Sequence, residues 1–172
     1  MTIVNAICNS FKVEILRGGH NLDTSGATPN GNAFKIALFS SDSASLSKTT
    51  TVYTAPNTPN AVPTNTLEVS QSQTDGGASN TGYTAGGKDL TVTATPVLSG
   101  DTACVKFNDV SFGSASFTAR GCLIYNNTNI SGFNNLRAVC VVNFGADKTV
   151  TSGTFTIQFP AQTANNAIVQ IA

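Results

Sequence analysis

Charge is scarce in this chain. Asp, Glu, Lys and Arg make up 10% of its 172 residues, against about 25% in an ordinary globular protein. Nine basic residues balance nine acidic ones, and no Lys/Arg run occurs. A nucleic-acid binder needs a cationic footprint to displace counterions, so that class is excluded. Tryptophan is absent, and there are three tyrosines and one histidine. Sugar platforms rely on exposed aromatic faces, so a glycan-binding role would fall on Tyr53, Tyr83 or Tyr125. No apolar run approaches the roughly 18–20 residues of a membrane span. Residues 1–17 lack a basic stretch followed by an apolar block and a small-residue cleavage site. The expectation is a mature chain made in a cytoplasm.

Chemical motifs are missing as well. The four cysteines, Cys8, Cys104, Cys122 and Cys140, stand singly in apolar segments without metal-ligand spacing. They are expected to pack as buried free thiols. No GxSxG, HExxH, P-loop or dinucleotide fingerprint is present. Gly86-Gly87-Lys88 has the look of a phosphate loop but lacks an upstream glycine and leads into a strand. His20 follows Gly18-Gly19 in a turn, where a solvated role is expected. The acids are scattered, and Asp101 and Asp109 flank one strand and cannot face each other. Paired-carboxylate chemistry needs two acids within about 5–10 Å across a cleft. No catalytic residue, cofactor site or metal site is assigned, and the chain is expected not to be an enzyme.

What fills the sequence is Thr, Ser, Asn and Gly around short apolar patterns. The length suits a single domain, 1–172, able to bury roughly 70% of its unfolded surface. Val4, Ile7, Cys8, Phe11 and Ile15 recur at three- and four-residue steps, which predicts an N-terminal helix within 1–19. Gly18-Gly19 stop it, after Arg17. That helix either lies across a sheet or serves as an arm that docks on a neighbour. From Ala33 the rhythm changes to two. Phe34-Ile36-Leu38, Leu90-Val92-Ala94 and Phe155-Ile157-Phe159 alternate with polar or small residues, as half-buried strands do. Ala138 to Phe144 is apolar on both faces and predicts a covered central strand. Phe117–Tyr125 and Ala167–Ile171 complete the set. Parity slips at Asn108-Asp109, which predicts a bulge or a bend that carries one strand out of one sheet and into another. Turns are expected at Ser99-Gly100-Asp101, Phe112-Gly113-Ser114, 126–135 and Ser152-Gly153. The fold class that follows is all-β, a β-sandwich or jelly roll with a short N-terminal helix.

Residues 55–87 break the pattern with Pro56, Pro59, Pro63 and two Gly-Gly pairs. They read as a long surface loop or hairpin excursion. Arg120 is the one charge inside an apolar strand segment. It is either paired within the fold or turned toward a partner.

Several phrases resemble a family of bacteriophage virion structural proteins. They are Gly82-Tyr83-Thr84-Ala85-Gly86-Gly87-Lys88, Ser116-Phe117-Thr118-Ala119-Arg120-Gly121, Phe144-Gly145-Ala146-Asp147-Lys148 and Phe155-Thr156-Ile157-Gln158-Phe159-Pro160. Near the front, Asn5-Ala6-Ile7-Cys8-Asn9-Ser10-Phe11-Lys12 belongs with them. The resemblance implies a virion component assembled in the bacterial host cytoplasm, without catalytic residues. Within the virion, a capsid decoration or cement protein is the expectation, with a tail or fibre-associated protein as the alternative. A glycan-binding module on the particle surface is a third reading. The expected partners are the major capsid protein and copies of the chain itself, as dimer or trimer, with no small-molecule substrate. Phe11, Arg17, Tyr53, Tyr83 and Arg120 are the candidate contacts.

Overall fold

The computed structural model describes residues 3–23, 31–40, 45–54, 67–69 and 82–172. In chain order its elements are β1 (Ala6–Ile7), α1 (Asn9–Leu16), β2 (Phe34–Phe39), β3 (Lys88–Leu90), β4 (Val97–Ser99), β5 (Thr102–Val105), β6 (Val110–Asn126), β7 (Arg137–Ile157) and β8 (Val169–Ile171). The strands form two antiparallel sheets. One is ordered β1-β7-β6-β2-β3 and the other β4-β5-β8. The described residues are therefore mostly β, with one short helix among them.

The spine is the β6–β7 hairpin, 17 and 21 residues long. It is zipped from Asn126 opposite Arg137 to Val110 opposite Ile157. Its root is apolar on both sides, and Ala138–Val141 are buried at both parities, as expected of the run Ala138 to Phe144, whereas Val142–Phe144 are only half-buried. Farther out the hairpin becomes two-faced. Phe112, Phe117, Val150 and Phe155 lie on one side, and Ser111, Thr118, Thr149 and Thr156 on the other. The hydroxyl face is self-bonded, with Ser111 to Thr156 at 2.8 Å and Thr118 to Thr149 at 2.9 Å.

Phe112-Gly113-Ser114 and Ser152-Gly153 are bulges within these strands, not the turns expected from the sequence. Ser114 and Ser152 take φ of 51° and 48° there. A third irregularity is larger: from Ala119 to Gly121 is two steps on β6, but from Lys148 back to Asn143 is five on β7. Each extra residue bends and twists the ribbon. The cumulative effect is visible in Phe144 and Phe155. Eleven residues of straight strand would span about 36 Å, yet the two rings are 6.2 Å apart. The ribbon has curled so that both halves of β7 border one cleft, lined by Val142, Phe144, Phe155 and Ile157.

The helix is shorter than the periodicity suggested. It covers Asn9–Leu16, not most of 1–19, because the residues before it have better partners as a strand. Ala6 and Ile7 pair with Val141 and Cys140, and the Val4 amide donates to the Leu46 carbonyl. Cys8 is extended and forms the N-cap. Val4, placed on the helical stripe by spacing, is half exposed. The stop signal did hold. Gly18 adopts φ +76°, its amide reaches the Ile15 carbonyl, and the Gly19 amide reaches that of Glu14. These are the two bonds of a Schellman motif, which requires a left-handed residue at Gly18.

The parity slip at Asn108-Asp109 marks a real change of sheet. β5 belongs to the small sheet and β6 to the large one. Asp109 pins the corner by accepting the Phe159 amide at 2.9 Å. Phe107, fully buried, sits between Phe34 and Phe159 at 5.6 and 5.8 Å and ties the sheets into one core. Leu90 and Val92 are buried and Thr91 and Thr93 exposed, as expected, but Ala94, placed on the covered face by the alternation, is exposed. Only Leu90 is in a strand, and Val92 bridges to Phe107. Of the excursion at 55–87, residues 55–66 and 70–81 lie outside the described residues. Leu67–Val69 run antiparallel to the end of β2, with Glu68 opposite Phe39.

Candidate functional site

Two of the three tyrosines bond one buried carboxylate, and the third stacks on one of them. Glu68 is 2% exposed and accepts hydrogen bonds from Tyr53 Oη, Tyr83 Oη and the Gly86 amide, each at 2.7 Å. Tyr83 Oη also accepts the Leu38 amide at 2.9 Å, and Tyr125 Oη donates to the Gly86 carbonyl at 2.6 Å. Tyr53 and Tyr125 stack at 4.5 Å, 9° from parallel. Gly86 and Gly87 have φ of +89° and +75°, and a Cβ on Gly87 would overlap the Ile36 carbonyl. The phosphate-loop look of Gly86-Gly87-Lys88 thus has another cause: the chain must turn tightly against β2 and aim one amide at Glu68. Burial first, and then the Glu68 charge, push all three phenols well above their usual values. They act as neutral donors.

A second polar cluster lies under the helix. Glu14 Oε2 is 2.9 Å from His20 Nε2, and Asn126 Nδ2 is 3.1 Å from His20 Nδ1. Asn126 also donates to Asn32 Oδ1 at 2.7 Å and accepts the Thr128 amide at 2.9 Å. Arg137, fully buried, reaches the carbonyls of Asn134 at 2.7 Å, Gly19 at 2.9 Å and Thr128 at 3.2 Å. Arg17 and Arg137 lie over the Phe133 ring, 4.9 and 5.5 Å from its centroid. His20 is therefore not the solvated turn residue expected from its neighbours. The Schellman turn folds it back against Phe11, ring to ring at 4.7 Å. Burial outweighs the nearby Glu14 charge and holds its pKa below the usual value of 6.5.

These polar groups hold backbone. Glu68 joins residues 53, 83 and 86, and Arg137 fastens the 127–136 loop to the end of the helix. The cysteines are buried free thiols. Burial raises Cys8 and Cys122 to about 12, far from a reactive thiolate. Among the described residues, no group of three or more His, Cys, Asp or Glu could hold a metal ion.

The expected contact residues separate into two sets. Phe11, Tyr53 and Tyr83 are buried within the chain, at 1%, 5% and 3% exposure, and offer no side chain to a partner. Tyr125 is buried too, so the glycan platform has no ring to present. Arg17 is exposed at the helix C-cap. Arg120 is partly exposed and lies 3.8 Å from Asp147, in the large β7 irregularity. Sequence reasoning passed over Glu68, Asn126 and Arg137. It also passed over an apolar surface: Leu98, Ala103 and Ile171 are cross-strand neighbours on one face of the small sheet, with Leu98 72% and Ile171 51% exposed. Leu16, 89% exposed, lines a groove with Ile171 at the end of the helix.

Comparison with known protein families, curated proteins and solved structures finds no match. No helix among the described residues is long and apolar enough to cross a membrane.

Proposed function

We propose that this chain is a non-enzymatic structural component of a phage particle, a capsid decoration or cement protein built as a β-sandwich of jelly-roll type. One observation carries the reading. The polar residues suited to chemistry, Glu14, His20, Glu68 and Arg137, are spent inside the fold, while the outside offers hydroxyl faces, exposed leucines and few charges. Such a surface can meet protein without desolvating many ions. The virion phrases in the sequence point the same way. A cement protein works by many copies of a modest interface, so that small affinities sum. Its partners would be the major capsid protein and copies of itself.

Copy number tests this. Quantitative mass spectrometry of purified particles should give a ratio near that of the major shell protein. A handful of copies per particle would move the chain to the tail or fibre. Absence from particles would refute the virion reading altogether.

A further inference from the structure

The cluster under the helix has a feature that purely structural hydrogen bonding does not need. The orientation of the Asn126 amide is fixed from both ends. Its Oδ1 accepts the Thr128 amide, and its Nδ2 donates to Asn32 Oδ1. Asn32 Oδ1 is an acceptor in turn, since it also takes the Asn21 amide at 2.8 Å. The nitrogen of Asn126, and not its oxygen, therefore faces His20 Nδ1. Two donors cannot share that 3.1 Å contact, so Nδ1 must be bare and the proton must sit on Nε2, directed at Glu14. Asn126 Nδ2 also lies 3.5 Å from the Gly19 carbonyl, but Nδ1 at 3.1 Å is the nearer acceptor, and a neutral imidazole is the form these contacts favour.

We propose that His20 is an acid-operated latch that holds helix α1 on the end of the β6–β7 hairpin and lets go when its Nδ1 takes a proton. Protonation sets an N–H against the Asn126 NH2 and leaves a new cation in a site that also holds the buried Arg137 guanidinium. Charged and titratable groups approach from every side. Glu14 comes from the helix and favours the cation, as a partner of Nε2. Arg137 comes from β7 and opposes it. Asp23, in the segment after His20, lines the same cleft, and Cys8 before the helix is close enough to feel Glu14. The His20 side chain is fully buried, so water screens the added charge poorly. Glu14 does not remove the conflict, because it bonds the other ring nitrogen.

The latch is worth having because of what it joins. The imidazole connects α1 and the turn after it to Asn126 at the end of β6, and Asn126 in turn reaches Asn32 before β2. Release removes this one tie; Arg137 at the Gly19 carbonyl and Phe11 in the core still hold the helix, so it loosens without leaving the sheet, and the hairpin stays zipped. This goes beyond the particle reading and does not depend on it.

Hydrogen exchange on the full chain tests it, read at α1 and at the β6–β7 root after correction for intrinsic rates. The sign follows from the depressed pKa. The open state binds a proton near 6.5 and the closed state resists it, so closure is fully favoured above pH 6.5 and weakens below. Helix protection should fall by up to about tenfold per pH unit on acidification from 6.5, while the hairpin root stays protected. His20→Gln should abolish that slope, since its amide is neutral throughout. Asn126→Asp should reverse it, because a carboxylate facing Nδ1 welcomes the proton. A wild-type helix whose protection is flat from pH 7.5 to about 5.5 overturns the latch. The same slope in His20→Gln overturns it too.

Discussion

Changing Glu68 to Gln preserves its shape and removes its charge, and the outcome depends on which of two opposed effects is larger. Burying a carboxylate costs several kcal/mol, and replacing a buried ion with a neutral group can stabilise a protein. Here that relief is small. The donors that compensate the charge, Tyr53 Oη, Tyr83 Oη and the Gly86 amide, stay buried after the substitution. A hydrogen bond to an ion contributes about 1.5–3 kcal/mol and one between neutral groups about 0.5–1.5 kcal/mol. Roughly 1 kcal/mol is lost at each donor, and the new NH2 must face either a phenol or an amide. The expected destabilisation is about 2–4 kcal/mol. Glu68→Ala leaves the donors unpaired and should cost about 3–6 kcal/mol, a large part of a typical domain's stability of about 5–15 kcal/mol. With no tryptophan in the chain and all three tyrosines in this cluster, tyrosine emission reports on the site itself. At a slope of about 2 kcal/mol per molar urea, Glu68→Gln should lower the midpoint by about 1–2 M. A midpoint within about 0.2 M of wild type would show that Glu68 does not organise the tyrosines.

Two glycines give a contrast that isolates close approach from backbone freedom. Gly100 starts the two-residue β4–β5 turn at φ +60° with open space around it, so Gly100→Ala should cost only about 1 kcal/mol in a thermal melt. Gly87→Ala adds a steric overlap with the Ile36 carbonyl to a similar φ and should cost more than about 3 kcal/mol. Equal losses would contradict the packing of residues 86–87 on β2. Arg120→Ala removes a partly solvated ion pair and should lower the urea stability of the isolated chain by at most about 1 kcal/mol. A clearly greater loss of particle binding in the same variant would mark Arg120 as facing a partner, and parallel losses would confine it to the fold.

Period-two alternation was legible in the Phe155–Phe159 segment and the last strand because one side of each is wetter. It also located β2, although β2 proved buried on both faces apart from Lys35, with Ala37 and Phe39 as covered as Ile36 and Leu38, and the slip at Asn108-Asp109 located the change of sheet. It failed where a tertiary partner overrode local pattern. Residues 4–8 keep helical spacing, yet β7 offers them a ladder, and pairing decided the matter. Bulges were read as turns because both need small residues at positive φ, and only the partner strand distinguishes them. The polar clusters were the hardest to foresee. His20 looked solvated because its sequence neighbours are glycines, whereas its real neighbours are Phe11, Glu14 and Asn126. Glu68 left a faint trace: in a chain so poor in charge, an acid between Leu67 and Val69 has to be compensated. Nothing in the sequence said that the compensation would come from tyrosines 15 residues away on either side.

The curl of the β6–β7 ribbon connects the local chemistry to the proposed role. β1 pairs with β7 only at Cys140 and Val141, and the Asn5 side chain caps the Asn143 amide beyond it. From Phe144 outward, no described strand covers that edge. Such an edge is normally guarded by charge or proline, but from Phe144 to Ile157 there is no proline, and Asp147 and Lys148 are the sole charges. The bulges supply part of the protection, since a twisted, curled edge is a poor template for a second flat strand. They also turn Phe144 and Phe155 toward each other and shield part of each ring. What remains outside is mostly threonine and serine, which can hydrogen-bond to a protein surface or to water at similar cost. A free monomer gains little from so few charges, because charge keeps it soluble. A subunit that spends its life against other subunits gains from their absence, since each ion at a contact would have to be desolvated.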